Sequence, residues 1–193
     1  IVLRDERRVA RMARLGQITS LVGLGVLVLG LLFVFIAEDE LVFLYQLIAL
    51  AVGFGLSQVG LHFNHRYGRK PRPDQVLDSA VEKFARKDGR MYHFELPADH
   101  VLFMPSAVIV FITKFQNGTI SVDGDDWKQK GIGLRGTIGQ ERLGNPSKEA
   151  EKAMAKMKAF IASAAPEAID VPIFPVIVFT SDTITSLETD RST

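Results

Sequence analysis

Two long apolar runs dominate the first third of the chain. Residues 18–37 read ITSLVGLGVLVLGLLFVFIA and residues 41–63 read LVFLYQLIALAVGFGLSQVGLHF. Each is about 20 residues, enough for a helix to span a hydrocarbon core of roughly 30 Å. Lipid forces the helical choice, because backbone groups there must pair internally. Only Glu38-Asp39-Glu40 separates the runs, so 18–37 and 41–63 are expected to be antiparallel transmembrane helices with 38–40 as an external loop. A signal peptide would have a shorter apolar core followed by an A-x-A-type cleavage site; here Glu-Asp-Glu follows Ala37. Neither run contains a charge, which argues against an ion path or proton relay. Ala49, Gly53 and Ser57 fall at i, i+4 and i+8 of the second helix, and Gly16, Ser20 and Gly23 make a looser stripe on the first. Small-residue stripes let helix backbones approach closely. Packing within the hairpin and docking into a larger membrane assembly would both use them.

The pattern changes after residue 63. Gly68-Arg69-Lys70-Pro71-Arg72-Pro73 breaks the helix, making 64–73 a linker. Asp74 is a fair N-cap for a helix running to about Lys87, with Val76, Leu77, Ala80, Val81 and Phe84 on one face. Strand-like runs follow at Met91–Leu96, His100–Met104 and Ala107–Phe115. The unbroken apolar stretch of the third predicts a central strand buried on both faces. Asn117-Gly118 predicts a hairpin turn into Thr119–Val122, and Asp123-Gly124-Asp125 another turn before Trp127. After a glycine-rich stretch from Gly131 to Gly144, Pro146 opens a helix to about Ala164. Its apolar face is Ala150, Met154, Met157, Phe160 and Ile161. Val171–Phe179 is the last strand, with prolines in its first half. Residues 74–180 thus predict an α/β domain in the order α-β-β-β-β-α-β, followed by a polar tail, 181–193.

Charge orients this picture. The chain holds 23 Lys and Arg against 22 Asp and Glu, a net charge of +1. Arg4, Arg7, Arg8, Arg11 and Arg14 make residues 1–17 a basic segment; Arg66, Arg69, Lys70 and Arg72 follow the second helix; the loop between is acidic. The positive-inside rule then predicts a multi-pass cell-membrane protein with both ends and the globular domain cytoplasmic. The lipid bilayer is the expected partner, with other membrane-protein subunits a further one; the arginines act as a topology signal, and contact with anionic headgroups is the additional role open to them. The chain opens on Ile1 and closes on Ser192-Thr193, and is expected to be part of a longer protein. The absence of cysteine excludes disulfides, zinc-thiolate and iron–sulfur sites and a cysteine nucleophile.

Other candidate chemistry is thin. His62 and His65 suit an interfacial position better than cofactor ligation. Gly131-Ile132-Gly133-Leu134-Arg135-Gly136 matches G-x-G-x-x-G outside the βαβ context that would give it meaning. Asp123, Asp125 and Asp126 lack the later glycine and glutamate of a calcium loop. Lys128, Lys130, Arg135, Arg142, Lys148 and Lys152 would bind nucleic acid only if they shared one face with stacking aromatics, and only Trp127 is near. His93 and His100 are expected to pack at strand edges.

Several marks occur in order: Asp99-His100-Val101, Pro105-Ser106, the buried strand ending Thr113-Lys114, Asn117-Gly118-Thr119-Ile120, Trp127, and Asn145-Pro146 opening a helix before a Val-Ile-Val-Phe strand. As a set covering residues 74–180 they resemble the nuclease-related domain (NERD) family. The resemblance implies a restriction-endonuclease-like αβββαβ domain with a central mixed sheet. In such nucleases an aspartate and a second acidic residue hold Mg²⁺, and a lysine two residues beyond the second acid helps position water. Asp99 matches the aspartate and Lys114 the lysine, but Ile112 occupies the acidic position. An isoleucine cannot ligate a hard cation that prefers oxygen. Asp74, Glu95 and Glu149 are the carboxylates that could substitute; Glu149 stands where the family usually has glutamine. The expected function is therefore a membrane-anchored, catalytically inactive relative acting as an interaction or accessory subunit, with no cofactor and with Asp99 and Lys114 vestigial. The alternatives are a tethered Mg²⁺-dependent nuclease and a non-catalytic nucleic-acid tether.

Overall fold

The computed structural model describes residues 1–33, 35, 41–82, 88–133, 142–181 and 184–189. It forms two compact units, one comprising Glu6–Arg72 and the other Ile1–Asp5 with Pro73–Thr193.

The first unit is a helical hairpin of α1 (Glu6–Phe33) and α2 (Val42–Phe63), and α2 runs on into a π-helical turn at Asn64–Gly68. Helix α2 matches its apolar run to within a residue. Helix α1 begins well before Ile18, because the stretch from Glu6 to Gln17 is rich in arginine, alanine, methionine and leucine, which favour helix, and opens with Glu6, an acid suited to a helix N-terminus. The basic segment 1–17 is therefore not one piece: Val2–Arg4 is a strand of the other unit and the chain from Glu6 onward is helix. The expected external loop, 38–40, lies outside the described residues.

Both helices are long and apolar enough to cross a membrane. Their buried residues are Val9, Gly16 and Gly23 in α1 and Gly53 and Gly60 in α2. Four of the five are glycines, so what the hairpin hides is a backbone seam rather than a side-chain core. A Cβ on Gly23 would lie 2.7 Å from the Ser57 nitrogen, one on Gly30 2.6 Å from the Ala49 Cβ, and one on Gly53 2.7 Å from Leu27 Cγ. Ala49, Gly53 and Ser57 thus face Gly23, Leu27 and Gly30, and the stripe is used within the hairpin. At its open end Asn64 Nδ2 donates to Ser20 Oγ at 3.3 Å.

The second unit is built on a five-stranded mixed sheet of order β1-β2-β3-β4-β7. Its strands are β1 (Val2–Arg4), β2 (Arg90–His93), β3 (His100–Met104), β4 (Ala107–Lys114) and β7 (Ile173–Phe179). β1 runs parallel to β2, β2-β3-β4 is an antiparallel meander, and β7 runs parallel to β4. Helix α3 (Pro73–Val81) covers one face, packing Leu77 and Val81 on Met91, Leu102 and Phe111. Helix α4 (Pro146–Ala164) covers the other, where Met157 and Ile161 meet Val101, Val108 and Val110. Strand β4 is central and buried on both faces, as its unbroken apolar run requires. Pro175 sits in edge strand β7, where a missing N–H is tolerated. The sequence α3-β2-β3-β4-α4-β7 is an αβββαβ core.

Four local readings need correction. Asn117-Gly118 is no hairpin turn back onto β4, because β7 already occupies that edge. The chain leaves the sheet there, and β5 (Gly118–Asp123) starts a second, three-stranded sheet with β6 (Asp126–Lys130) and β8 (Ile184–Thr189). Gly118 has φ +84°, and a Cβ on it would collide with the Lys130 carbonyl oxygen. The polar tail 181–193 contains β8, parallel to β5; alternation of Ile184, Ser186 and Leu187 is too weak a signal over six residues. Phe160 is exposed, since the buried stripe of α4 runs through Ala150, Met157 and Ile161. Asp74 is no exposed cap but lies fully buried in the first turn of α3.

The seam makes a sharp prediction. Gly60→Ala puts a methyl 2.5 Å from the Ser20 nitrogen and is expected to weaken the hairpin by about 1–3 kcal/mol. Gly25→Ala meets nothing within 4 Å and should be neutral or mildly stabilising. Denaturant titration of helix packing in detergent compares the two.

Candidate functional site

Strand pairing sets the geometry around the nuclease-like positions. β3 and β4 pair with His100 opposite Phe111 and Val101 opposite Val110. Asp99 therefore stands one step outside β3, level with Ile112, at the end of the bend 94–99. That bend is closed by the Phe94 N–H donating to the Asp99 carbonyl at 2.7 Å, with Phe94 at φ +62°. Ile112 packs on the apolar cluster of Val108, Val110, Met157 and Ile161. Period-two alternation puts it on the face of β4 that α4 covers. Its side chain completes a core.

Lys114 ends β4 and is buried. Its ammonium donates to the Leu143 carbonyl at 3.0 Å and to Glu149 Oε1 at 2.6 Å. Glu149 reaches it because α4 is rigidly started. The Asn145 side chain accepts from the Lys148 N–H at 3.0 Å, and its Nδ2 donates to the Asp125 carbonyl at 2.9 Å. The Trp127 indole donates to Ser147 Oγ at 2.9 Å and lies 6.1 Å from the Phe179 ring. The second sheet thereby pins the helix start, and the first turn of α4 presents Glu149 where an acid also suits the helix dipole. Two residues beyond Lys114, buried Gln116 donates to the Arg142 carbonyl at 3.4 Å. The end of β4 holds the segment leading into α4.

These residues do not fit a divalent metal. Mg²⁺ needs converging oxygens, and among the described residues no three His, Cys, Asp or Glu side chains gather into a set that could hold a metal ion. Asp99 and Lys114 share no hydrogen bond or ion pair; Lys114 is bonded instead to Leu143 and Glu149. Of the other two substitute carboxylates, Glu95 shares the 94–99 bend with Asp99, and Asp74 lies in the first turn of α3. Glu95 accepts the Asp5 N–H at 2.9 Å, and Asp74 is bound by Arg4.

That last contact opens a polar cluster on the α3 face which sequence reasoning missed. Arg4 of β1 bonds Asp74 and, at 3.1 Å, Asp78. Asp78 Oδ1 lies 2.8 Å from His93 Nε2, and His93 Nδ1 lies 2.8 Å from His100 Nδ1. Both histidines are buried rather than at an edge, and face each other across β2 and β3. A contact between two imidazole nitrogens at that distance is a hydrogen bond only with one proton between them. Asp74 and Asp78 at i, i+4 on one helix face were the available signal. Arg4 gave none, since a three-residue strand is too short to show a period.

Burial pushes the Asp78 carboxyl up, but its hydrogen bond with His93 and the charges of His93 and Arg4 outweigh this and hold it below its ordinary 3.8. Ionised Asp78 therefore adds stability in full above pH 3.8, and that contribution is lost as pH falls through the folded value. Asp78→Asn is expected to cost about 1–3 kcal/mol at neutral pH, a part-exposed version of the loss when a buried pair is broken. The gap between variant and wild type should narrow below pH 3.8. Denaturant melts at a series of pH values measure both.

Comparison with known proteins gives one match. The family model described as the nuclease-related domain matches residues 78–180, more than half of the chain. No curated protein and no solved structure matches.

Proposed function

Because the chain belongs to the nuclease-related domain family, we propose that it is a membrane-anchored, catalytically inactive member that serves as an interaction or accessory subunit of a membrane assembly. The observation that carries this reading is at β4: Ile112 is packed into the core where the family's chemistry needs an acid, and Lys114 is clamped by Glu149 and Leu143. Fold without the site's donors does not carry the reaction.

The anchor is the hairpin. Its helices have the length for a bilayer and hide almost none of their apolar side chains, unlike the core helices of a soluble protein. A cleaved leader is disfavoured, because β1 precedes α1 and is paired into the sheet. Basic residues at both outer ends of the hairpin favour a cytoplasmic location for them and for the globular unit. The subunit role draws on the globular unit. The small-residue stripe of α2 is spent within the hairpin, but Phe174 and Val176, on one face of edge strand β7, remain exposed. Apolar side chains on a sheet edge invite a partner.

A second reading, a tethered Mg²⁺-dependent nuclease, draws on one contact: Glu149 is a carboxylate touching Lys114. Plasmid cleavage with Mg²⁺ or Mn²⁺ separates the two. The wild-type chain is expected to leave plasmid intact; cleavage lost in Asp99→Ala and Lys114→Ala would establish the nuclease. In mild detergent the full chain should run as an assembly that Phe174→Asp with Val176→Asp dissociates. Purification as a lone monomer would sink the subunit role.

Topology has a direct test, because the chain lacks cysteine. A membrane-impermeant thiol reagent applied to whole cells should label Asp39→Cys, and should label Glu188→Cys only after lysis.

A further inference from the structure

The basic residues ahead of the first apolar run do more than set orientation. A topology signal depends on how many positive charges flank a span, not on which side of a helix they occupy. Here the side is defined, because α1 runs unbroken from Glu6 to Phe33. Its packing seam contains Gly16, Gly23 and Gly30. Arg7, Arg11 and Arg14 follow each other at steps of four and three on the opposite side, the same steps that continue to Ile18, Leu21 and Val28. Those three apolar residues are exposed, and so are the three arginines. The outward stripe of α1 is thus one continuous face, lipid-suited above and cationic below. At 1.5 Å per residue, Arg14 stands about 6 Å and Arg11 about 10 Å below Ile18. The polar interface of a bilayer is several ångströms thick on each side, so Arg14 falls at headgroup depth and Arg11 at its outer margin. Guanidinium matches phosphate geometry through paired N–H donors.

We propose that this outward face binds the headgroups of anionic phospholipids, with Arg11 and Arg14 as the contacts and Arg7 as outlying charge. The proposal rests on the membrane reading above. The alternative ligand of the same chemistry is free phosphate.

The full chain is reconstituted into vesicles of phosphatidylcholine with and without phosphatidylglycerol, and lipid association is read by quenching from labelled phosphatidylglycerol against labelled phosphatidylcholine. The wild type is expected to prefer phosphatidylglycerol, the preference falling about fivefold per arginine removed in R11Q with R14Q. R11K with R14K should retain it, and excess inorganic phosphate should not displace the lipid. Displacement by phosphate would reassign the face to a free anion and overturn the proposal. An alkaline carbonate wash keeps the two readings apart. Release of the chain overturns the membrane reading and this one with it; retention with no lipid preference, or a preference unchanged in the glutamine variant, overturns this one alone.

Discussion

A fully buried carboxylate is tolerable only with a cation beside it, and in this protein the pairing of Asp74 with Arg4 satisfies that constraint. The two residues lie on opposite sides of the helical hairpin in sequence. The globular unit is therefore discontinuous: its first strand is made before the chain enters the hairpin and its first helix after the chain leaves it. From this pair the polar chain continues through Asp78 to His93 and His100, tying β1, α3, β2 and β3 together on one face of the sheet. Removing any member would strand a buried charge or donor, which costs more than the bond itself contributes.

On the opposite face of the sheet, Lys114 and Ile112 tie β4 to α4. Lys114 draws in Glu149 and a backbone carbonyl, while Ile112 extends the apolar cluster beneath α4. The result is a continuous core from β3 through β4 to α4, with the strand end and the helix start joined by an ion pair.

The hairpin divides its two surfaces by residue size. Glycine, serine and alanine line the seam, where backbones come close enough that an added Cβ would collide. Most leucines, valines and phenylalanines point outward and remain exposed, Val9 and Leu27 lying against the seam.

Much of this was legible in the chain itself. Runs of about 20 apolar residues can only be long helices, and α2 and α4 fall where periodicity and Pro146 place them. The unbroken apolar stretch of β4 identified the central strand, and the absence of an acid at Ile112 was plain from the motif. These features are local: a period, a run length, a missing functional group. Other features needed the folded chain. Which strand pairs with which edge depends on contacts between distant residues, so Asn117-Gly118 looked like a hairpin when β7 had taken the edge of β4. The strand at Val2–Arg4 is too short to carry a pattern, and β8 nearly so. That Asp74 meets Arg4, that Glu149 rather than Asp99 meets Lys114, and that two buried histidines stand 2.8 Å apart are facts of packing between elements. Burial turns each from a surface charge into a bond the fold requires, and burial is a property only the tertiary structure confers.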